Sequence, residues 1–425
     1  MRTIPLLFFI LSATQALFAV PPNEFEAPKT VTSDYVAHEW GTFTSVQGAD
    51  GVQLDWNPLN VWDLPKFVYT LNRPGLQRRN GVLVAAKSAI TSRQRMETPV
   101  IYFYSKTPRT IDVGVDFPQG TITEWYPQAL FPNELNPILA NKSVSPPKGL
   151  RWMQVNLLPP SATPPALQND EAGSHYYAAR ETDASLVSIS TRGGPRETEK
   201  FLFYRGVAGF IAPLTVTSEG DNAQTLHLKN TGKEDLKSLF IYRAHEGRGS
   251  VLSVEALVAG ETRTVALPPS AADQPLESLR RTLGNQLQTA LTKAGLYEKE
   301  SAAMVHTWDD SWLGESGIRV LYILPREWTD RTLPLTLSPS PGQVARVMVG
   351  RAEMITPAME EALTAEVNRF SSDDAESRAQ AIANTRKLDL GRFSESVLRR
   401  VITNSKPTAA FSAKSWELLQ ATSKK

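Results

Sequence analysis

Alternating apolar and polar residues predict β-strands along most of the first 270 positions. Ile111, Val113, Val115 and Phe117 occupy every second position of one run, as in a half-buried strand. β-branched and aromatic residues predict further strands at residues 96–104, 121–126, 152–158, 175–180, 186–190, 200–205, 207–214, 225–230, 238–243, 250–258 and 262–267. Residues 38–65 predict two short strands and a loop. Turn-forming residues separate these runs, which favours an antiparallel β-sandwich.

The hydrophobic period changes after residue 270. Leucines recur at helical spacing between residues 276 and 291 and predict a helix over residues 276–294, with Asp273 as its N-cap. A second helix is predicted at residues 298–313, and strands at 317–324, 333–337 and 344–349. Thr356 and Pro357 then predict the first turn of a helical C-terminal tail.

Together these elements predict a β-rich α+β fold. We expect an antiparallel β-sandwich-like body with two helices and a helical C-terminal tail. The predicted regions are an N-terminal β-rich region at 20–158, an antiparallel β-sandwich region at 159–270, an α+β segment at 271–356 and the tail at 357–425.

The first 19 residues have the pattern of a secretory signal peptide. Arg2 supplies a positive charge, residues 4–11 are apolar, and the small residues Ala16 and Ala19 offer cleavage sites. An uncleaved anchor is the alternative, although the apolar run is shorter than the about 20 residues that span a bilayer. No later apolar segment reaches that length, so we expect an exported, soluble mature chain in the periplasm or outside the cell.

Composition excludes several classes of site. The chain has no cysteine, which excludes disulfides, thiolate metal sites and cysteine nucleophiles. Its net charge of +1 gives no electrostatic argument for nucleic acid as a partner. The sequence contains no zinc-protease, nucleophile-elbow, P-loop or dinucleotide motif, so no cofactor is indicated.

Residues 37–45 combine an imidazole, a carboxylate and two aromatic rings. One interpretation is that His38 or Glu39 lines a cleft, with Trp40 as its wall. In an extended strand, however, adjacent side chains point to opposite faces. The other interpretation is therefore a core strand whose buried polar groups are satisfied by their neighbours.

Acidic residues beside aromatic ones raise the possibility of a carbohydrate site. Aromatic rings stack on sugars, and a pair of carboxylates can hydrolyse a glycosidic bond. The candidate catalytic acids are Glu39, Glu97, Glu124 and Glu315. The candidate binding residues are His38, Trp40, Trp125, Arg205, Trp308 and Trp312. Aromatic residues at strand spacing are nevertheless more often part of a core.

A metal site is a further possibility. His306 and Asp310 are four residues apart in the second predicted helix, which can place both side chains on one face. A distant residue such as His38 could complete the ligand set. The alternative is a solvated helix face opposite a stripe formed by Val305, Trp308 and Trp312.

Several arginines lie in or beside apolar strands: Arg205, Arg243, Arg319, Arg346 and Arg351. Arginine is rarely buried without a partner. Glu97, Glu199, Glu315 and Glu353 are available as partners, so we expect an internal set of ion pairs.

The motif HEWGTFTS at residues 38–45 resembles the first part of exported bacterial proteins of unknown function. RMETPVIYFY at residues 95–104, ITEWYP at 122–127 and KFLFYRGV at 200–207 are similar as well. The resemblance covers roughly residues 35–360 and leaves out the tail. It implies export and a shared body, and it transfers no activity, cofactor or catalytic residue.

Three hypotheses of function follow. The first is an exported binding or structural protein that meets a glycan or envelope partner through a surface lined by Trp and acidic residues. The second is a carboxylate-dependent hydrolase, with carbohydrate as its candidate substrate. The third is a metal-dependent enzyme that uses His38, His306 and Asp310. The sequence does not specify the oligomeric state.

Overall fold

A computed structural model describes residues 32–57, 64–71, 91–132, 148–159, 167–170, 174–404 and 408–423. The predicted signal peptide at residues 1–19 lies outside these ranges. The fold is strand-rich, with 40% strand and 32% helix. The coarse prediction of a β-rich α+β protein is therefore confirmed.

Most strands fall close to the predicted positions, but the strand predicted at residues 207–214 is wrong, because one strand ends at Ala208 and the next begins at Leu214. The strands are β1 (Thr32–Gln47), β2 (Tyr69–Thr70), β3 (Gln94–Ser105), β4 (Arg109–Asp116), β5 (Gly120–Tyr126), β6 (Gly149–Leu158), β7 (Leu186–Ile189), β8 (Glu197–Glu199), β9 (Leu202–Ala208), β10 (Leu214–Glu219), β11 (Thr225–Asn230), β12 (Leu236–His245), β13 (Arg248–Leu257), β14 (Thr262–Ala266), β15 (Gln274–Pro275), β16 (Gly317–Ile323), β17 (Leu335–Ser338) and β18 (Pro341–Met354). Residues 175–180, predicted as a strand, instead form a 3-10 helix that Ser174 caps.

Three sheets contain these strands. The largest has ten, in the order β15-β13-β12-β16-β18-β1-β3-β9-β5-β2. A three-stranded sheet has the order β10-β11-β14, and a five-stranded sheet the order β17-β4-β6-β7-β8. Because β1 and β18 pair in parallel, the large sheet is mixed, and the finer prediction of an antiparallel sandwich is not confirmed. The ten strands of this sheet come from positions spread between residues 32 and 354.

The central strand β1 has 16 residues and corresponds to only the first of the two short strands predicted at residues 38–65. The second does not form in the described part of that range, where Gln53 and Trp56 make isolated bridges. The strand β1 pairs with β18 on one edge and with β3 on the other. Both of its faces are also covered, so nearly every described side chain from Tyr35 to Gln47 is buried. A strand enclosed on all sides lacks the apolar-polar alternation that marks a half-buried strand. For this reason the sequence pattern did not reveal its length.

The helices are more numerous than predicted. They are α1 (Leu276–Lys293), α2 (Glu298–Trp308), α3 (Arg326–Thr332), α4 (Pro357–Phe370), α5 (Ala375–Lys387), α6 (Ser394–Asn404) and α7 (Ala409–Ser423). A π-helix at Asp309–Gly314 directly follows α2. The prediction of two helices in the body is wrong, because α3 is a third. It begins after Pro325 and places Trp328 in the core.

Three hydrophobic clusters form the core. In the first, one face of the large sheet packs with residues of the two smaller sheets, and its members include Phe43, Ile111 and Leu226. The second joins the large sheet to α1 and α2 through residues such as Trp40 and Leu283. In the third, Trp56 and Ile355 pack with the tail helices α4 to α7. The predicted tail therefore docks on the body. Among the described residues, none of the helices combines the length and apolar character needed to cross a bilayer.

Gly41 permits a close approach between β1 and β3. A Cβ atom at this position would lie 2.9 Å from Cα of Pro99 and 3.0 Å from Sδ of Met348. The pairing of β1 with β3 shifts register between Trp40 and Thr42. The glycine within the HEWGTFTS motif is therefore a packing requirement of the central strand.

We expect Gly41→Ala to lower the free energy of unfolding by about 2 kcal/mol, since the added methyl group meets backbone and cannot be accommodated freely. Urea denaturation at neutral pH measures this change. Gly209→Ala is the matched control: a methyl group added there would meet no described atom within 4 Å, and we expect a change within about 0.5 kcal/mol. Equal stabilities of the two variants would contradict this interpretation of Gly41.

Candidate functional site

His38 and Glu39 point to opposite faces of the large sheet, as expected for neighbours in a strand. His38 contacts Glu300 of α2, whereas Glu39 binds Arg346 of β18 and Tyr204 of β9. The two residues therefore belong to separate clusters. Neither lines a shared site with the other.

The His38 cluster joins β1 to α2. Nδ1 of His38 lies 2.7 Å from Oε2 of Glu300, which also accepts the backbone N–H of Tyr297 at 2.7 Å. The other oxygen of Glu300 accepts the hydroxyl of Tyr104 at 2.8 Å. Burial and the adjacent Glu300 carboxylate raise the pKa of Tyr104. The cluster holds α2 against the sheet, with the rings of Tyr104 and Tyr297 packed on the imidazole.

Glu97 and Glu315 are the two candidate acids that the fold brings to one region. One oxygen of Glu97 accepts a hydrogen bond from Nη1 of Arg392 at 2.6 Å, and the other accepts one from the hydroxyl of Thr44 at 2.6 Å. Glu315 accepts a hydrogen bond from Nη2 of Arg351 at 2.5 Å. Arg351 also pairs with Glu353, which lies 2.9 Å from Nε of Arg319. This arginine cluster lies at one end of β1, β3, β16 and β18, under the tail.

Local backbone geometry positions the arginine cluster. Arg319 donates to the carbonyls of Trp312, Glu315 and Ser316 at 2.6 to 2.8 Å and so fixes the end of the π-helix that precedes Glu315. Thr98, next to Glu97, has a φ of 49°, an unusual value for a β-branched residue. The pairing of β3 with both β1 and β9 shifts register around it. Such irregularities concentrate at sites where the fold constrains particular side chains.

The protonation states of this cluster do not suit glycoside hydrolysis. Burial opposes ionisation of Glu97, but the charges of Arg392, Arg95 and Arg351 outweigh it and lower the pKa to about 2. Burial likewise opposes ionisation of Glu315, and Arg351 and Arg392 lower its pKa nevertheless. A general acid needs a raised pKa so that it carries a proton at working pH. Neither carboxyl group meets this requirement.

Glu124 and Arg205 lie opposite each other on β5 and β9, and both are buried. The hydroxyl of Thr123 donates to Glu124 at 2.5 Å. This arrangement agrees with the expectation that buried arginines lie beside carboxylates. Arg243 with Asp273, Arg319 with Glu353, and Arg346 with Glu39 are further pairs of that kind.

The predicted tryptophan surface is wrong. Trp40, Trp125, Trp308 and Trp312 expose at most 3% of their surface. Trp308 and Trp312 stack on each other at 5.9 Å between ring centroids, inside the layer between the large sheet and α1. The π-helix brings them together, and burial of large apolar rings explains why the aromatic stripe faces inward. These rings cannot stack on a ligand at the surface.

The candidate metal ligands lie in different places. His38 is fully buried, whereas His306 is exposed and contacts Glu181 at 3.0 Å. Asp310 is exposed and binds Arg280 at 3.1 Å. The change from α-helix to π-helix after Trp308 also alters the i, i+4 relation on which the expectation rested. Within the described ranges, no group of three or more His, Asp or Glu residues is arranged to hold a metal ion.

A cleft of about 910 Å³ lies beside the Glu39–Arg346 pair. It is lined by the first residues of β12 and α3, the last residues of β16 and α1, and residues of β13 and β14. Arg346 and Val347 of β18 complete the lining. Ser238 in its wall has a φ of 50°, next to a register shift between β12 and β16. The volume lies at the upper end of the range of about 300–1,000 Å³ that is usual for ligand pockets.

Arg346 is the buried charged residue in the lining of this cleft. Nε donates to Glu39 at 2.5 Å and Nη1 donates to Asp330 at 2.7 Å. Nη2 is buried and has no hydrogen-bond partner among the described residues. Burial disfavours the charge of Arg346, but Glu39 and Tyr204 outweigh this effect and raise its pKa. The guanidinium group thus remains charged, is held in place by two carboxylates, and retains donor capacity.

Sequence reasoning named Arg346 only as a buried cation and missed the cleft. It also missed Glu300, Asp330 and Arg392 as partners. Asp330 lies four residues after Arg326, a spacing that predicts an ion pair on a helix, but the sequence pattern did not reveal α3. No periodicity connects Glu39 with Arg346, which lies 307 positions away.

No protein-family model matches the chain, and no curated protein matches it. Among solved structures, the chain is similar to the yeast delta-COP-I mu-homology domain complexed with the Dsl1 WxWxV peptide. That match has 6% identity and a TM-score of 0.29, and it covers 76% of this chain and 96% of the other. A second structure of the yeast domain matches at 7% identity, with the same coverage and TM-score. Similarity at this level carries no argument about function.

We expect Glu97→Gln to lower the free energy of unfolding at pH 7 by about 3 kcal/mol, because it leaves buried arginines without a counter-charge. The pKa of Glu97 falls from an ordinary value of 4.5 to about 2 on folding. Its contribution is therefore present above pH 4.5 and is lost as the pH falls towards 2. Urea denaturation from acid to neutral pH measures both effects.

In that pH window the stability of Glu97→Gln is expected to fall less steeply than that of the wild type. Glu361→Gln, at an exposed position of α4, is the control and should retain the wild-type slope. A slope for Glu97→Gln equal to that of the wild type would show that Glu97 is not ionised through its arginine partners.

Proposed function

We propose that the protein is an exported binding protein that takes an organic anion into the cleft beside Arg346. The observation that carries the proposal is the buried Nη2 group of Arg346, which lacks a hydrogen-bond partner among the described residues. An unsatisfied buried donor costs about 1–3 kcal/mol, and an anionic acceptor would remove that cost. Guanidinium groups are well suited to bind carboxylates.

Size favours an organic ligand over a simple inorganic ion. The cleft of about 910 Å³ is large enough for a molecule with several functional groups. Two carboxylates already fix the guanidinium group, so binding needs little reordering of the protein. A ligand from the cell envelope would fit the predicted exported location.

Binding is favoured over hydrolysis by the state of the candidate acids. Glu39 is buried against Arg346, and the pKa values of Glu97 and Glu315 are lowered rather than raised. The glycan hypothesis loses its stacking platform because the relevant tryptophans are buried. The anion-binding cleft is therefore a more specific proposal than a Trp-lined surface.

We expect succinate to bind to the purified protein and Arg346→Lys to weaken this binding by about tenfold, because lysine cannot reproduce the guanidinium fork. Isothermal titration calorimetry measures the affinity. Arg319→Lys is the matched control, since it changes a fully buried arginine of the same sheet that does not line the cleft. It should be destabilised but bind succinate normally.

Ala294→Trp provides a test that leaves Arg346 intact. Ala294 is exposed and lines the cleft, so a large ring there should fill the space without disturbing the core. We expect the variant to fold and to lose succinate binding. Failure of succinate to bind the wild type, or binding that both cleft variants leave unchanged, would overturn the proposed function.

Export is tested separately. We expect the chain to reach the periplasm or the medium of a bacterial host when residues 1–19 are present, and to stay in the cytoplasm when they are deleted. Cell fractionation followed by N-terminal sequencing measures both. Recovery of the full-length chain in the cytoplasm would contradict the signal-peptide prediction.

A further inference from the structure

We infer that the cleft selects a zwitterionic ligand, a short peptide with a free carboxylate and a free ammonium group. This inference rests on the proposed function and names the ligand class of the same site. It depends on the charges that line the cleft and on their partners. A ligand of one sign would satisfy only part of the lining.

Charges of both signs line the cleft in nearly equal number. The basic residues are Lys237, Arg263, Lys293, Arg326 and Arg346. The acidic residues are Glu234, Asp235, Glu255 and Glu327. A ligand with charges of one sign only would be attracted by part of this lining and repelled by the rest. The lining therefore favours a ligand that carries both charges.

Two charges of each sign remain available. Arg263 pairs with Glu261, Glu234 pairs with Arg331, and Arg326 pairs with Asp330. By contrast, the side chains of Lys237, Lys293, Glu255 and Glu327 have no hydrogen bond or close ion pair with another described residue, although Glu327 interacts electrostatically with Arg331. All four are exposed at the rim, whereas Arg346 is buried.

The last turn of helix α1 also lines the cleft. It has 18 residues, and its last turn lines the cleft with Ala290, Lys293 and the following Ala294. The partial negative charge at a helix C-terminus favours a cation. Lys293 of that turn already supplies a positive charge there, so the ammonium group of the ligand is expected near Glu255 and Glu327 instead. The carboxylate of the same ligand can then reach Arg346.

Backbone groups favour a peptide over other zwitterions. The pairing of β16 with β18 extends to Val349, and the N–H of Leu324 adds a bond to the carbonyl of Met348. Arg346 and Val347 therefore line the cleft beyond the end of that ladder. Arg326 donates to the carbonyl of Val344 at 2.9 Å, and thus covers only part of this strand edge. An extended peptide can use such an edge for main-chain hydrogen bonds.

Trialanine with free termini tests the inference against two matched probes. N-acetyl-trialanine retains only the carboxylate, and trialanine amide retains only the ammonium group. We expect trialanine to bind about tenfold more tightly than either blocked peptide, since each lost charge removes one favourable interaction. Isothermal titration calorimetry at low ionic strength measures all three affinities.

The double variant Glu255→Gln/Glu327→Gln should weaken the binding of trialanine and trialanine amide but not that of N-acetyl-trialanine. Glu277→Gln/Glu376→Gln changes two exposed carboxylates outside the cleft and is the control. Equal binding of trialanine and N-acetyl-trialanine would overturn the zwitterion inference, while succinate binding that depends on Arg346 would leave the proposed function intact. Failure of succinate and of every peptide to bind would overturn both.

Discussion

The fold depends on neutralising the charged side chains that its central strands carry into the core. Glu39, Glu97, Arg319, Arg346 and Arg351 are all at least 95% buried. Burying an isolated charge in such a position would cost too much free energy, so each of these groups needs a partner of opposite sign. The partners come from distant parts of the chain: Glu39 of β1 meets Arg346 of β18 across 307 positions. The ends of the body must therefore come together before either charge can be buried.

Charge neutralisation also fixes the register of the sheet. A shift of one residue in β1 would exchange its two faces, placing Glu39 towards the helices and His38 opposite Arg346. Both polar residues would then lose their partners, while several apolar residues would still be buried. Removing one member of a buried pair costs about 3–5 kcal/mol, although the intact pair adds little net stability. We therefore interpret the ion pairs as determinants of specificity more than of stability.

The sequence predicted the local elements better than their arrangement. Residues 96–104 were recognised as a strand by their β-branched and aromatic composition, and residues 110–117 by their alternation of apolar and polar side chains. The helix α1 was recognised because its leucines all face one layer. The rule that buried charges need partners predicted that the arginines would be paired, but it did not identify partners such as Glu39 for Arg346 and Asp273 for Arg243. Contacts between segments far apart in sequence produce the other features: the pairing of β1 with β18, the burial of Trp308 and Trp312, and the cleft. The periodicity of apolar residues along the chain gives no information about those contacts.

The cleft gains its chemical character from the same buried charges. Arg346 lies between Glu39, which anchors it to β1, and Asp330, which anchors it to α3. A guanidinium group held in this way has lost its conformational freedom on folding, so a ligand would not have to order it again. The rim residues differ, because Lys237, Lys293, Glu255 and Glu327 are exposed and lack such anchors. Affinity should therefore come mainly from the rigid floor, and discrimination between ligands from the adaptable rim.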